Sequence, residues 1–290
     1  VGAAPARAGH PMSLWKMELL HLFRSWRGWT LAAVFLLASI LSIVTGIFIE
    51  RVGEFSHSAA LDLYMMYSLP GVLLFIGIVV SALAFDGNKD SSTFLRTRFS
   101  MQRILLTKVL VYFPLHELLY FLGFVIVLIG GSVLFDTSDA LSFEWLLWGI
   151  LLHMVANFFY IAIMLLTSSV FRGSVASVLL TLTVVFGIPI ISGVLMTIEL
   201  LMRGLIETPL VEWEKVSYVA RVILWWPAAL SDADAFLSVT QSEVAAKTIT
   251  YFGQSFELDP HFRLKPLIST LVLSPLFALF AWRRYTRREL

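Results

Sequence analysis

Four polar side chains interrupt apolar segments of this chain, and their types suit proton transfer or metal binding. His116 and Glu117 are adjacent in one apolar run, and His153 and Asn157 lie in the next. A carboxylate in hydrocarbon is costly, so by default it suggests a function. Neighbouring helical residues point about 100° apart, which predicts that His116 and Glu117 do not converge on one ligand. His153 and Asn157 are one helical turn apart and predict a polar seam with the preceding run.

Two interpretations of this polar set remain open. In the first, Glu117 lines a translocation path or forms a proton-linked site. In the second, it is a neutral or hydrogen-bonded glutamate at a helix–helix or subunit interface. A metal site would require further ligands at the same depth, and the sequence offers none beyond His116 and Glu117, so no metal is expected.

Sequence motifs for catalysis and nucleotide binding are absent. The chain has no G-x-x-x-x-G-K-[ST], no G-x-G-x-x-G and no H-E-x-x-H, and it contains no cysteine. We therefore expect no catalytic residues and no cofactor on this chain. Nothing in its charge pattern points to nucleic acid as a partner.

The elements that must position the polar set are membrane spans. The 290 residues are 58% hydrophobic and only 14% charged, whereas soluble domains are about a quarter charged. Six apolar runs are long enough to cross a bilayer as helices: residues 29–49, 64–85, 109–135, 145–170, 175–196 and 266–282. The predicted fold is therefore an all-α integral membrane protein with one six-helix domain over residues 13–290. Residues 1–12 are interpreted as a disordered leader or a cloning remnant, since no signal-peptide core follows them.

Residues 13–28 are predicted to form an amphipathic helix in the plane of the membrane surface. Trp15, Leu19, Leu22 and Trp26 recur at helical spacing and form one apolar face, while basic residues lie around it. Aromatic and basic residues on such a helix favour an interfacial position.

Residues 202–265 are predicted to form a long loop outside the cell, because acidic residues are spread through a mixed sequence. Within this loop, residues 216–230 are apolar but short, and Pro227 interrupts them. We expect an interfacial or re-entrant helix there, with Trp225 and Trp226 at headgroup depth.

The distribution of cations predicts the topology. With both termini in the cytoplasm, the inner segments hold 14 of the 21 Lys and Arg residues. The two short outer loops hold only Arg51. Because cytoplasmic loops are rich in Lys and Arg, we expect a multi-pass protein of the cell membrane with both ends inside.

A charged island over residues 86–108 separates the second and third spans. It is basic and has helical apolar spacing, which suits a cytoplasmic element that contacts a partner. The residues interpreted as coupling residues are Asp86, Asp90, Ser92, Thr93, Phe94, Leu95, Arg96, Arg98 and Arg103.

The order of parts resembles the permease subunits of type-2 ABC exporters. An interfacial helix, two spans around the island, three more spans, a long outer loop and a basic tail follow that family's layout. The island also resembles the family pattern of an acidic residue, Gly-Thr, a helical stretch and Ser-Pro-x-Ser-Arg before a Lys. Here Ser92 stands in place of the usual Gly, and Phe99 stands near the usual Pro.

This resemblance implies a division of labour between subunits. The island would be the coupling helix that docks on a separate cytoplasmic ABC ATPase, which binds ATP and Mg²⁺, and residues 13–28 would be the elbow helix. The permease would pair with a second copy or a paralogue through the first, second and fifth spans, where Gly187, Pro189 and Gly193 permit close or bent packing. The alternative is a secondary carrier or an intramembrane enzyme that uses His116, Glu117, His153 and Asn157.

Overall fold

The structure, a computed structural model, describes residues 13–50, 57–83, 99–134, 143–171, 173–204, 248–251, 254–257 and 264–287. Within these ranges the chain forms α1 (Leu14–Arg24), α2 (Trp26–Glu50), α3 (His57–Leu83), α4 (Met101–Leu134), α5 (Phe143–Val170), α6 (Ser174–Leu182), a π-helical turn (Thr183–Gly187), α7 (Ile188–Met202), β1 (Thr248–Tyr251), β2 (Gln254–Glu257) and α8 (Leu264–Thr286). Six segments are long and apolar enough to cross a membrane. The described part of the chain is therefore almost entirely helical, and its six candidate spans indicate a multi-pass membrane protein.

The third span is longer than its apolar run, because α4 begins at Met101 rather than near residue 109. The second half of the charged island is thus the start of α4 and not a separate helix. Ser100 caps this start, since its side chain accepts a hydrogen bond from the backbone N–H of Arg103 at 3.4 Å. Residues 86–98 lie outside the described part of the chain.

The predicted helix over residues 13–28 ends early, at Arg24. Ser25 is extended, and its hydroxyl donates to the carbonyl of Leu22 at 2.9 Å, which closes α1 before α2 begins at Trp26. Gly28 permits this corner, because a Cβ there would lie 2.9 Å from the Leu22 carbonyl oxygen. Trp26 therefore belongs to a different helix from Trp15 and Leu19.

The face of α1 that packs on the protein also differs from the predicted one. Leu14, Glu18 and Leu22 are its buried residues, while Trp15 and Trp26 are 45% and 68% exposed. Only Leu22 of the predicted apolar face is buried in the protein. Trp15 on α1 and Trp26 on α2 both face away from the rest of the protein.

Helices α2, α3 and α4 pack closely on one another. The Ser39 hydroxyl lies 3.1 Å from the Gly123 carbonyl oxygen, and the Tyr64 hydroxyl donates to the Tyr120 carbonyl at 2.7 Å. A Cβ at Gly123 would collide with the Tyr64 hydroxyl and with Ser39. A small residue here lets α4 approach its neighbours, which is how membrane helices gain van der Waals contact.

The fifth span is continuous in spite of its helix-breaking residues. Its helix widens into a π turn at Thr183–Gly187 and then resumes, with Pro189 in the first turn of α7. Proline lacks a backbone N–H and crowds the preceding turn, and a wider turn accommodates both effects. The Thr167 and Thr181 hydroxyls, 2.6 Å apart, join α5 to α6.

The sixth span, α8, packs along α5 and is fixed to α3 at its end. The Tyr285 hydroxyl donates to the carbonyl of Leu83 at 3.2 Å. Between α7 and α8, β1 and β2 form an antiparallel hairpin with Thr248 opposite Glu257. The sequence did not predict this hairpin, and residues 216–230 lie outside the described ranges.

Candidate functional site: a buried polar cluster on α4

The polar residues of α4 and α5 meet inside the bundle. Glu117 Oε1 accepts a hydrogen bond from Asn157 Nδ2 at 2.6 Å and lies 3.3 Å from His116 Nδ1. His116 and Glu117 contact each other because the glutamate side chain is long enough to reach across the helix surface to the imidazole. The expectation that they do not converge on one ligand stays a prediction. The predicted seam between the third and fourth spans is confirmed at Asn157.

Aromatic rings enclose this cluster on several sides. The His116 ring lies 4.2 Å from that of Phe75 on α3 and 5.6 Å from that of Phe35 on α2, measured between centroids. On the other side, Tyr120 stacks on His153 of α5 at 4.2 Å. His153 therefore contributes a ring face to the frame around the cluster. The cluster sits in an aromatic environment.

Part of the hydrogen-bonding capacity of the cluster is unused. His116 and Glu117 are each only 4% exposed. Among the described residues, His116 Nε2 and Glu117 Oε2 have no hydrogen-bond partner. Such orphan atoms are costly in an apolar interior.

The cluster is able to hold one proton in either of two places. A proton on Glu117 leaves both side chains neutral, and a proton on His116 gives an ion pair whose net charge is also zero. Both states avoid an isolated charge in hydrocarbon. The other titratable side chains nearby are Tyr120, Tyr64 and His153. No group of three metal-ligating side chains occurs within the described ranges.

A second buried acid lies at the beginning of α4. Glu18 of α1 and Lys108 of α4 form an ion pair at 2.9 Å, and both side chains are buried. Lys108 was expected to be one of the cations of an exposed island, but it is instead the residue that fixes α1 to α4. A buried pair of this kind is costly to break from one side, since the remaining charge has no compensation.

The remaining predicted coupling residues are only partly covered by the structure. Arg103 is exposed in the first turn of α4. Asp86, Asp90, Ser92, Thr93, Phe94, Leu95, Arg96 and Arg98 lie outside the described residues.

Sequence reasoning missed two contributors to these sites. Tyr120 is one turn after His116 and packs between the two histidines, and its helical spacing from His116 was the available signal. Glu18 is the one acidic residue in the first predicted helix. Its position between Leu14 and Leu22, at intervals of four residues, placed it on a buried stripe.

Comparison with known proteins identifies no relative. No family model, curated protein or solved structure matches this chain significantly. Its function is accordingly argued from its own residues.

Proposed function

We propose that this chain is the permease subunit of an ATP-driven exporter of the type-2 ABC class, with ATP hydrolysed by a separate cytoplasmic subunit. The observation that supports the proposal best is the Glu18–Lys108 ion pair at 2.9 Å. It joins the N-terminal amphipathic helix to the end of the charged island. These are the two elements to which the proposal assigns the mechanical input.

The length of α4 makes it suitable for carrying a movement into the membrane. It runs unbroken from Met101 to Leu134 through Pro114. From Arg103 to His116 the helix rises about 20 Å at 1.5 Å per residue. A displacement of the island by a closing ATPase would therefore reach the polar cluster through one stiff element, with α1 moving as part of it.

A second permease copy would cover the fifth span, which is one of the two least buried spans. Ile190, Val194, Ile198 and Leu201 of α7 are all about half exposed or more. The described part of the chain offers α7 little packing beyond the π turn that it continues. We therefore retain the proposal of a dimer that includes the fifth span, with the first and second spans beside it. Cysteine cross-linking in native membranes tests it, and the absence of cysteine from the sequence gives a clean background.

The orientation proposed is cytoplasmic for the island, for α1 and for both termini, in the cell membrane. It rests on the excess of Lys and Arg in these segments. A cysteine at Ser231 should react with an impermeant reagent from outside only. Labelling from the cytoplasmic side alone would reverse the topology.

The decisive experiment replaces Phe94 and Leu95 together with alanine. Large apolar groups at the centre of a contact carry most of the binding energy, so this variant should insert normally but bind its ATPase weakly, or leave hydrolysis uncoupled from transport. The measurement is co-purification of an ATPase subunit with the tagged chain from native membranes, followed by ATPase and transport assays.

A matched control removes an apolar pair at the C-terminal end of α4. Val133 and Leu134 are 77% and 54% exposed, and their replacement with alanine should leave ATPase binding unchanged. Normal coupling in the Phe94/Leu95 variant would contradict the proposal.

The polar cluster favours one alternative, a carrier or intramembrane enzyme that uses His116, Glu117, His153 and Asn157. A buried carboxylate beside an imidazole, here at 3.3 Å, is a pair of side chains of the kind that proton relays use. Transport by the purified chain alone, driven by a pH gradient across proteoliposomes, would support the carrier and exclude ATP as the energy source.

A further inference from the structure

A cavity beside the C-terminal end of α8 combines an apolar wall with three arginines. It has a volume of about 450 Å³ and is lined by Leu166, Phe277, Phe280, Arg283, Arg284 and Arg287. The α8 residues recur at intervals of three and four, so they share one face of the helix. Along about 15 Å of that face, at 1.5 Å per residue, the lining changes from aromatic to cationic.

The three guanidinium groups concentrate positive charge at the mouth of this cavity. All three are exposed. Within the described ranges none of them forms an ion pair with a carboxylate, and the arginine pair that does form is Arg203–Glu199. Three adjacent like charges repel one another and attract an anion. The C-terminal helix dipole offsets only part of this charge, since it amounts to about half an elementary charge.

The cavity lies at the edge of a membrane span. The sixth candidate span covers Leu267–Thr286, so Phe277 and Phe280 lie within it and the arginines lie at its end. Trp282, in the same turns, is an aromatic residue of the type that anchors a helix at headgroup depth. The apolar wall thus faces acyl chains, and the guanidinium groups face the headgroup layer.

We propose that this cavity binds an anionic phospholipid. The phosphate would accept hydrogen bonds from Arg283, Arg284 and Arg287, and an acyl chain would lie along Phe277, Phe280 and Leu166. Arginine suits this role because its planar fork donates two hydrogen bonds to one phosphate. The proposal is independent of ATP-driven transport, and it concerns the leaflet at which α8 ends.

The composition of the wall distinguishes a lipid from other anions. A free phosphate would use the arginines but not Phe277, which lies ten residues before Arg287 and inside the span. An acidic segment of a partner protein would approach from water and likewise leave the aromatic wall uncovered. A phospholipid matches both halves of the cavity.

The test is native mass spectrometry of the full-length protein in detergent with added phosphatidylglycerol or phosphatidylcholine. The wild-type chain should retain phosphatidylglycerol more strongly than phosphatidylcholine. Changing Arg283, Arg284 and Arg287 to glutamine should weaken that binding on the order of 100-fold, since each surface cation contributes about a factor of five to ten toward an anionic headgroup.

A matched control removes three other exposed cations, which lie near the N-terminus of the chain. Lys16, Arg24 and Arg27 are exposed on α1 and at the start of α2. Their replacement with glutamine changes the net charge equally and should leave phosphatidylglycerol binding unchanged. Equal losses in the two triple variants would show that net charge alone attracts the lipid, and would overturn the proposal.

Two further measurements separate the lipid from its rivals. Changing Phe277 and Phe280 to alanine should weaken phosphatidylglycerol binding, whereas inorganic phosphate at the same concentration should not displace the lipid. Displacement by phosphate, or by a short polyglutamate peptide, would assign the site to a free anion or to a protein segment and overturn the proposal.

A charge-conserving variant covers the case in which the glutamine variant fails to insert. Lysine at positions 283, 284 and 287 keeps the cations on which membrane topology depends. It loses the two-point hydrogen bond, so phosphatidylglycerol should bind roughly tenfold more weakly. Wild-type affinity in that variant would contradict recognition of phosphate by arginine.

Discussion

Glu18 and Glu117 are buried to the same degree, each 4% exposed, but their surroundings differ. Glu18, on α1, faces the ammonium of Lys108 of α4 at 2.9 Å. Glu117, in the middle of α4, faces a histidine at 3.3 Å and an asparagine amide at 2.6 Å, and its second oxygen has no described partner. The same residue type thus forms an ion pair at one place, and at the other it keeps one carboxylate oxygen without a described hydrogen-bond partner.

The difference separates a structural role from a chemical one. Lysine is charged over the physiological pH range, so the Glu18–Lys108 pair holds α1 on α4 as a fixed contact. Glu117 instead contacts a histidine and an asparagine, and its second oxygen has no described partner, so no fixed counter-charge closes this cluster. Four substitutions test this contrast.

The largest effect is expected when Lys108 is changed to methionine. Glu18 would then remain buried without a counter-charge, which should lower the free energy of unfolding by about 3–5 kcal/mol. Changing Glu18 to glutamine as well should restore most of the loss. Thermal unfolding in detergent measures both. Arg103→Met, on an exposed turn of the same helix, is the control and should have little effect.

The second-largest loss of stability is expected at Gly123, where α4 packs closely against Tyr64 and Ser39 near the Glu117 cluster. Gly123→Ala would force the Tyr64 hydroxyl and Ser39 away from α4, and overpacking of this kind costs about 1–3 kcal/mol. Gly77→Ala in α3 is the matched control, because nothing lies within 4 Å of its Cβ position. Equal melting temperatures for the two variants would show that α4 does not need this close approach.

A smaller loss is expected when Asn157 is changed to leucine. The variant removes the hydrogen bond to Glu117, and polar contacts between membrane helices contribute about 0.6 kcal/mol on average and at most about 1.7 kcal/mol. We expect the loss of stability to lie near the upper end of this range, because the acceptor is a buried acid. Thr45→Val removes the 3.0 Å contact with Tyr67 and should cost less. A larger loss for Thr45→Val would argue against any special role of the acid.

The smallest change in stability is expected for Glu117→Gln. Glutamine keeps the shape and an oxygen for Asn157, so unfolding should change by no more than about 0.6 kcal/mol. If Glu117 lines the translocation path, transport should fall in spite of this, because glutamine removes the carboxylate. Full transport with raised stability would instead assign Glu117 to helix packing alone.

The features that depended on local sequence were predicted well. The six spans follow from apolar length, and the His153–Asn157 spacing placed Asn157 against α4, because helical periodicity fixes which residues share a face. The limits of α1 and α4 were predicted poorly. The end of α1 is set by the Ser25 contact with Leu22, and the start of α4 continues into polar sequence that hydropathy does not mark as helix.

The sequence by itself determined that the chain crosses the membrane six times and that a carboxylate and a histidine enter the hydrocarbon together. Only the tertiary structure decided what each acid faces. Glu18 meets Lys108, and Glu117 meets Asn157, through the packing of separate helices. Such contacts depend on how the helices pack in three dimensions, and no local propensity carries that information.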